Sequence, residues 1–341
     1  MKDSLNIVVA GATGYIGLEL IKILSRHRKS KILYLCATKS IGKPIEFFDK
    51  SFKKKNLPKI SKIQNIKWNN IDVLFTALPN GEAHNIAKII PRKVKLIDLS
   101  ADFRLDSPIE YKKWYGITHN HKYLLKNSLY SITEFNKKKL YKYNIISCPG
   151  CYPTSVQIPL IPLVEKKLIS TKDIIIDSKS GYSGGGKNIK KKFKFKNLHN
   201  SVNAYGVGSH KHMAEIDQEL SKVAKRNVSV SFTPHIIPMF RGILSTIYIK
   251  TKKKKTAKHI HSFLKRYHKK NYFIKIAKYN SPIGTGEVIN TNYCNISVCE
   301  NRKKDRVIIL SAIDNLIKGG SGQAVQNMNV AFKLKENFGF K

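Results

Sequence analysis

Apolar residues in the first hundred positions follow the pattern of buried strands that alternate with helices. Leu5–Ala10 is a continuous apolar run rich in β-branched residues, typical of a parallel strand covered on both faces. A helical pattern follows the glycine-rich segment after it and ends near Arg26, and another covers residues 82–90. Three more buried strands are predicted: Ile32–Thr38, Ile71–Leu78 and Val94–Leu99. This alternation predicts an α/β fold, a Rossmann-type doubly wound parallel sheet.

After about residue 145 the pattern changes to longer strands, several of them without an intervening helix. These predicted strands are Asp173–Lys179, Val228–Thr233, Leu244–Lys250 and Val307–Ile313. They indicate a second, α+β domain with a largely antiparallel sheet. The tail over residues 319–334 has helical spacing. We therefore predict a first domain over residues 1–147, completed by a C-terminal helix within 315–341, and a second domain over residues 148–314.

The charge is the most unusual feature of the composition. The 341 residues carry 63 Lys+Arg against 22 Asp+Glu, a formal net charge of +41. Nucleic-acid contact surfaces usually recruit arginine, yet only 9 of these cations are arginine and the lysines are dispersed. We predict a solvated lysine-rich surface, an exposed edge or loop over 187–196 and no nucleic-acid partner. A basic nucleic-acid-binding protein on a dinucleotide fold remains the distant alternative.

Hydropathy and cysteine usage bear on the surroundings of the protein. No apolar stretch approaches the roughly 18 residues that a membrane span requires, so no membrane partner is predicted. The five cysteines are scattered at positions 36, 148, 151, 294 and 299. An odd, scattered set argues against a disulfide framework and predicts a reducing, cytoplasmic compartment.

A glycine loop joins the first strand to the first helix. Gly11 allows a tight turn, Gly14 allows close backbone approach, and Gly17 allows the helix to pack on the strand. The free N–H groups of the helix N-terminus favour a diphosphate. The predicted dinucleotide contacts are Gly11, Thr13, Gly14, Tyr15, Ile16 and Gly17. The alternative is a purely structural turn.

The end of the second strand distinguishes between the two nicotinamide cofactors. An NAD site is expected to place Asp or Glu there for the ribose 2′-hydroxyl. This chain has Thr38, Lys39 and Ser40 instead, two hydroxyls and a cation that suit a 2′-phosphate. The sequence therefore favours NADP(H) over NAD, unless the loop is simply solvated.

A second constellation surrounds the pair Cys148 and Cys151, separated by Pro-Gly. A strand ends at the first cysteine and a helix begins near the second, and a thiol at a helix N-terminus has its pKa lowered. Cys151 is therefore the candidate nucleophile, and His210 and His212 are candidate bases. His235 is a third candidate. A redox pair or two inert thiols remain open, and because no second C-x-x-C exists we predict no metal.

Candidate anion-binding residues follow two of the predicted strands. Arginine is rare in this chain, so Arg104 and Arg241 stand out, since a guanidinium can hold a carboxylate or phosphate bidentately. The Gly/Ser segment Ser180–Lys187 could cradle an anion with its backbone N–H groups. The alternative for that segment is a flexible hairpin connection.

Together these motifs identify a family resemblance. The chain resembles the N-acetyl-γ-glutamyl-phosphate reductases, NADP-dependent enzymes of arginine biosynthesis related to aspartate-semialdehyde dehydrogenase. The matching segments occur in the family's order and span nearly the whole chain: Gly11–Gly17, Ser100–Leu105, Pro149–Thr154, Ser180–Lys187, Ala204–Ile216, Phe232–Ile243 and Gly319–Asn329.

The resemblance implies a reaction and a set of site residues. Cys151 would attack the acyl phosphate and expel phosphate, a hydride from NADPH would reduce the thioester, and His210 would act as acid–base. Substrate-binding roles are implied for Arg104, Ser180 and Arg241. Cofactor contacts are implied for Pro79, Ser183, Gly184 and Asn327. The first domain would bind NADP, the second would carry catalysis, substrate binding and oligomerisation, and relatives suggest a homodimer or homotetramer.

The chain departs from the family pattern at three positions. Cys148 stands where the family usually has Asn, so a reversible disulfide with Cys151 and an inert thiol both remain open. Lys187 and Lys211 stand where the family often has Arg and lack its bidentate geometry. The closest alternative activity is that of the lysine-pathway relative, which reduces an aminoadipyl phosphate attached to an acidic carrier protein.

Overall fold

The fold comes from a computed structural model of the chain, which describes residues 4–187, 189, 196–252 and 255–340. These residues form two compact units. Unit 1 comprises Met1–Pro149 and Gly320–Lys341, and unit 2 comprises Gly150–Gly319. Most of the predicted loop over 187–196 lies outside the described residues. No helix among the described residues is long and apolar enough to span a bilayer.

Unit 1 is built on a parallel sheet of seven strands in the order β3-β2-β1-β4-β5-β7-β6. The strands are β1 Leu5–Ala10, β2 Ser30–Cys36, β3 Ile60–Ser61, β4 Val73–Thr76, β5 Lys95–Asp98, β6 Ser128–Tyr130 and β7 Ile145–Ser147. The chain starts in the middle at β1, runs outwards to β3 and then crosses to β4 on the other side. This order confirms the doubly wound sheet, whose switch point lies between β1 and β4.

Unit 2 is built on a second seven-stranded sheet, in the order β12-β13-β14-β11-β8-β10-β9. Its strands are β8 Ile175–Gly181, β9 Asn203–Ala204, β10 Ser231–Ile237, β11 Ile243–Lys250, β12 Ile274–Ile276, β13 Cys294–Glu300 and β14 Arg306–Ile313. Four neighbour pairs are antiparallel, whereas β8–β10 and β12–β13 are parallel. The predicted α+β class with a largely antiparallel sheet is confirmed.

Helices accompany both sheets. The α-helices of the described residues are α1 Tyr15–Leu24, α2 Ala83–Ile89, α3 Pro108–Tyr115, α4 Lys122–Lys126, α5 Thr133–Asn136, α6 Cys151–Glu165, α7 His212–Ala224, α8 Ala257–Tyr267 and α9 Gly322–Ala331. Short 3-10 turns cover Ile45–Phe47, Lys50–Phe52, Ile63–Asn65, Trp68–Asn70, Leu140–Lys142 and Tyr182–Gly185, and a π-helix covers Ile317–Ser321. Within unit 1, α9 packs against α1, α5 and β5.

Helix α6 contains two interior prolines, Pro159 and Pro162. Each removes a helical N–H donor, which normally kinks or ends a helix. Most of the side chains of α6 are buried, and the helix packs against α7 and against β11. Along β11 buried and half-exposed residues alternate, so one face of the sheet receives the helix. Tertiary packing of this largely buried helix therefore outweighs the proline penalty.

Candidate active site

The thiol of Cys151 lies at the start of α6 and is partly exposed. Gly150 is the N-cap and supplies no side-chain cap to the first-turn amides. The carbonyl of Gly150 accepts hydrogen bonds from Thr154 N at 3.0 Å and from Thr154 Oγ1 at 2.9 Å, which fixes the first turn. An uncapped helix start beside an accessible thiol favours developing negative charge on the sulfur.

Gly319 fits closely over the nucleophile. A Cβ atom at this position would lie 2.6 Å from Cys151 Cβ and 3.0 Å from Cys151 Cα. Gly319 belongs to the π-helix, a form that recurs at functional sites, and its N–H donates to the carbonyl of Asp314 at 3.0 Å. The missing side chain at 319 thus provides the space that Cys151 occupies.

A fully buried carboxylate, that of Glu215, joins the residue before the nucleophile to an imidazole. Glu215 Oε2 accepts from Gly150 N at 2.9 Å, and Glu215 Oε1 lies 3.9 Å from His212 Nε2. A Cβ atom on Gly150 would lie 2.4 Å from His212 Nε2. His212, whose side chain is 18% exposed, is therefore the imidazole in contact with the start of the nucleophile helix.

His210 lies in an aromatic enclosure. Its ring centroid is 5.5 Å from that of Tyr152, 5.2 Å from Tyr205 and 5.6 Å from Phe232, all edge-to-face, and 4.8 Å from His212. His210 Nδ1 accepts the backbone N–H of His212 at 3.2 Å, so a neutral ring carries its proton on Nε2. The two histidines of the H-x-H motif are thus adjacent but differently placed.

Arg241 projects from the loop between β10 and β11. Its Nη1 donates to Asn290 Oδ1 at 2.7 Å and to Asp314 Oδ2 at 3.2 Å. The same loop is tied to the end of β8: residues 181, 182 and 183 donate their N–H groups to the carbonyls of residues 242, 239 and 240. The expectation that these amides cradle an anion is therefore wrong for residues 181–183. Ser180, predicted for substrate binding, is almost fully buried.

Ser183 and Gly184, predicted as cofactor contacts, lie in unit 2. Ser183 is buried, and its Oγ accepts from Asn315 Nδ2 at 3.0 Å. Asn315 Oδ1 in turn accepts from Gly242 N at 2.7 Å. A Cβ atom on Gly184 would lie 3.0 Å from Ser180 Oγ. These contacts bind the three loops together, and the cofactor role of both residues stays a prediction.

In unit 1 the three glycines of the dinucleotide loop have different surroundings. A Cβ atom on Gly11, whose φ is +85°, would lie 2.2 Å from the carbonyl oxygen of Ala77, and one on Gly17 would lie 2.2 Å from that of Gly11. At Gly14 the nearest atom would be 3.6 Å away. Gly14 is the N-cap of α1 and supplies no side-chain cap. Two glycines are thus required by backbone packing, whereas the third leaves an open approach to the helix N-terminus.

A cavity of about 530 Å³ opens beside the carboxyl ends of β1 and β2. Thr38 lines it, but Lys39 and Ser40 do not. Its lining residues are Ala10, Cys36, Ala37, Thr38, Lys62, Ile63, Gln64, Leu78, Glu82 and Ile86. Lys62 follows the two-residue strand β3, whose pairing with β2 brings Ser61 opposite Cys36. The mainly apolar walls carry one cation, Lys62, and one carboxylate, Glu82, and a cavity of this size and character can hold the adenosine end of a dinucleotide.

The loop after β4 contains exposed Pro79 and is held by the buried carboxylate of Asp102. Asp102 Oδ1 accepts from Gly81 N at 2.8 Å and from Tyr111 Oη at 2.7 Å, and Oδ2 accepts from His84 N at 3.2 Å. This side chain therefore anchors the loop and the start of α2. Asp102 lies within the segment Ser100–Leu105, where no local pattern predicted this anchoring role.

Arg104 and Asn327 make their contacts inside unit 1. Arg104 Nε donates to the carbonyl of Cys148 and Nη2 to that of Leu99, both at 2.9 Å. Asn327 Oδ1 accepts from Ser131 Oγ and Thr133 Oγ1, at 3.1 and 2.7 Å. Its Nδ2 donates to Ser131 O at 3.1 Å and to Cys148 Sγ at 3.6 Å. These bonds occupy the Asn327 amide, whose predicted place near the nicotinamide stays a prediction.

Cys148 is fully buried, and burial raises the pKa of its thiol to about 12. A thiol that stays protonated at neutral pH is a poor partner for thiol–disulfide exchange, since the thiolate is the reactive form. This favours the inert alternative for Cys148. Within the described residues, no group of three or more His, Cys, Asp or Glu side chains has the geometry of a metal site.

Comparison with known proteins places the chain in a family. Residues 6–143 match the family description "Semialdehyde dehydrogenase, NAD binding domain", and residues 151–315 match "Semialdehyde dehydrogenase, dimerisation domain". The chain is 40% identical to the N-acetyl-γ-glutamyl-phosphate reductase of Afipia carboxidovorans, over 99% of this chain and 98% of that protein. It is 42% identical to that of Desulforamulus reducens, over 98% and 97%.

A solved structure shares the fold. The aspartate semialdehyde dehydrogenase of Candida albicans, crystallised with NADP, superposes with a TM-score of 0.69 at 16% identity, over 98% of this chain and 99% of that chain. At this identity the likeness concerns the fold alone. The full-length sequence matches go further, because they cover the dinucleotide loop, the nucleophile helix and the H-x-H motif together. The chain belongs to the semialdehyde dehydrogenase family and, within it, to the N-acetyl-γ-glutamyl-phosphate reductases.

Proposed function

We propose that the protein reduces N-acetyl-γ-glutamyl phosphate to N-acetyl-L-glutamate 5-semialdehyde and phosphate, with NADPH, in arginine biosynthesis. The observation that carries the proposal is the partly exposed Cys151 at the uncapped start of α6, beside His212 and the buried Glu215. This is the arrangement that acyl transfer through a thioester needs. The full-length relatives named for this reaction supply the substrate.

The first chemical step forms a bond between Cys151 Sγ and the γ-carbonyl carbon. The bond from that carbon to the phosphate oxygen breaks, phosphate leaves with the electron pair, and a thioester remains. The thiol proton passes to an imidazole of the H-x-H pair. His210 was selected from the sequence, but the contacts of His212 with Gly150 and Glu215 favour His212, because the carboxylate stabilises the imidazolium.

Arg241 is the cation we propose for the substrate's anionic groups, with Ser180 beside it on the same unit. Arg104 was predicted for the same role. Because its Nε donates to the main-chain carbonyl of Cys148 and its Nη2 to that of Leu99, we propose that it supports the peptide leading to the nucleophile. In unit 2, the N–H of Gly150, the residue before the nucleophile, donates to Glu215.

The cofactor site of unit 1 fits a phosphorylated dinucleotide. The α1 N-terminus would hold the diphosphate at the open face of Gly14, and the cavity lined by Thr38 and Lys62 would hold the adenosine end, with Lys39 and Ser40 in the adjoining loop. Bound NADPH supplies the hydride that reduces the thioester. An imidazole of the H-x-H pair returns the proton as the thiolate leaves. We expect KM for NADPH to be well below that for NADH.

The reverse reaction tests the proposal most directly: N-acetylglutamate semialdehyde should reduce NADP only when phosphate is present. Cys151→Ser should lower kcat by about 10³-fold or more, since a hydroxyl is a far weaker nucleophile. Cys299→Ser, a partly exposed thiol elsewhere in unit 2, is the matched control and should retain activity. Turnover by Cys151→Ser at the wild-type rate would refute the thioester mechanism.

Two further assays separate the alternatives. Turnover of the free acetylated substrate should be compared directly with that of a carrier-bound aminoadipyl substrate. Turnover of the carrier-bound substrate alone would assign the protein to lysine biosynthesis instead. Tight, steeply salt-dependent binding to random DNA would support the nucleic-acid alternative. The match to a dimerisation domain supports a homo-oligomer, which we propose to be a homodimer or homotetramer. A cytoplasmic location stays a prediction.

A further inference from the structure

Asp314, at the end of β14 in unit 2, has a fully buried carboxylate that accepts four hydrogen bonds. Oδ2 accepts from Arg241 Nη1 at 3.2 Å and from Asn290 N at 2.8 Å. Oδ1 accepts from the backbone N–H groups of Leu316 and Ile317 at 2.8 and 3.2 Å. The two oxygens therefore serve two different neighbours, a guanidinium on one side and a turn of main chain on the other.

The Oδ2 side fixes the orientation of Arg241. Its Nη1 is shared between Asp314 Oδ2 and Asn290 Oδ1, and the side chain is only 10% exposed. A guanidinium is planar, so tying one nitrogen at two points sets the direction of the whole fork. Asn290, whose φ is +62°, offers its backbone N–H to the same carboxylate, so Arg241 and the 290 loop are held by one group.

The hydrogen bonds to Oδ1 fix the turn that borders Cys151. Leu316 and Ile317 lead into the π-helix, and the backbone carbonyl of Asp314 accepts from Gly319 N at 3.0 Å. Gly319 lies directly against Cys151. One residue thus holds both the turn that borders the thiol and the cation proposed for the substrate.

From these contacts we infer that Asp314 is a positioning residue, which sets Arg241 for the substrate's anionic group and Gly319 for the approach of Cys151. The inference rests on the proposed function, because it assumes that Arg241 binds substrate. Burial raises the pKa of Asp314, whereas Arg241 and the backbone donors oppose that rise. An amide at this position would turn an N–H₂ group towards one set of donors and lose the charge.

Steady-state kinetics of Asp314→Asn, Arg241→Gln and the double variant test the inference. Each single change should raise KM for the acyl phosphate by about 10- to 100-fold, the loss expected for a charge-assisted hydrogen bond, with KM for NADPH nearly unchanged. In the Arg241→Gln background, Asp314→Asn should raise KM for the acyl phosphate by no more than about a further threefold, because the two side chains act as one unit. Asp217→Asn, a partly buried carboxylate elsewhere in unit 2, is the control and should leave both KM values unchanged.

The possible results distinguish the substrate role of Arg241 from the positioning role of Asp314. If Arg241→Gln leaves KM for the acyl phosphate unchanged, the substrate role of Arg241 is refuted. If Arg241→Gln raises it but Asp314→Asn does not, or if their effects multiply in the double variant, the positioning role of Asp314 is refuted. Should Asp314→Asn not fold, Asn290→Gly keeps the positive φ and removes the other acceptor of Nη1. It should raise the same KM by about three- to tenfold, and an unchanged KM would overturn the inference.

Discussion

Gly319→Ala should lower both the catalytic rate and the free energy of unfolding. The added methyl carbon would lie 2.6 Å from Cys151 Cβ and 3.0 Å from Cys151 Cα, whereas carbon atoms in contact are separated by about 3.5–4.0 Å. About 1 Å of movement is therefore needed at the first residue of α6. Displacing reacting groups by that distance costs about 10²-fold in rate, and overpacking costs about 1–3 kcal/mol in the free energy of unfolding.

The assay is kcat for phosphate-dependent NADP reduction, measured together with thermal unfolding. Gly284→Ala is the matched control, because a Cβ atom there would meet nothing within 4 Å, and it should retain both kcat and the unfolding temperature. A Gly319→Ala enzyme with kcat within a factor of about three of wild type would refute the close packing of Gly319 on the nucleophile. If Gly319→Ala prevents folding, the clash is seen as lost stability and not as a lowered kcat. Iodoacetamide labelling of Cys151 in the soluble fraction then tests whether the thiol is still accessible in the molecules that fold.

Three further predictions concern other parts of the molecule. Iodoacetamide should modify Cys151 and abolish activity while mass spectrometry finds native Cys148 unmodified, because burial raises the pKa of Cys148 to about 12; early labelling of Cys148 would contradict this. Gly14→Ala should fold normally, because its Cβ would meet only Gly11 O at 3.6 Å, but it should weaken NADPH binding, measured by nucleotide fluorescence, by about tenfold or more, because the methyl would obstruct the approach to the helix N-terminus. Burial lowers the pKa of His119 from 6.5 to about 4, so the folded state binds fewer protons and the free energy of unfolding should fall as pH drops from about 6.5 to 4, by up to about 3 kcal/mol. His119→Phe should flatten that part of the pH profile, and an unchanged profile would refute the assignment.

The fold was predictable wherever hydrophobic periodicity is strong. Strand β1 has the predicted bounds, Leu5–Ala10, because a buried parallel strand is a continuous apolar run. β10 was placed too early: the predicted Val228–Thr233 overlaps only the first half of the observed Ser231–Ile237. Short strands such as β3, two residues long, carry no periodic signal and were missed. They exist because a neighbouring strand offers them hydrogen-bonding partners, which sequence alone does not reveal.

The candidate site, like the fold, could be predicted from the sequence only where the residues involved are close together in the chain. Cys151 and the glycine loop were predictable, since each chemistry depends on residues close together in sequence. Lys62 was missed because its place in the cavity depends on the two-residue strand β3. Asp314 was missed because the partner Arg241 is 73 residues away, so no local spacing marks the pair. His212 was weighed below His210 because a motif gives identity and order but not which ring faces the neighbouring helix.

The few acidic residues change the meaning of the net charge. Of 22 Asp and Glu residues in a chain with net charge +41, Asp98, Asp102, Glu215 and Asp314 have no exposed surface. Burying a carboxylate is costly unless hydrogen bonds compensate it, and each of the four accepts backbone N–H groups. Asp102 lies beside the Pro79 loop, Glu215 beside the start of α6, and Asp314 beside the turn that borders Cys151. The buried anions, together with Arg241, therefore supply charge at specific positions, whereas most of the lysines raise the general potential that attracts anionic ligands.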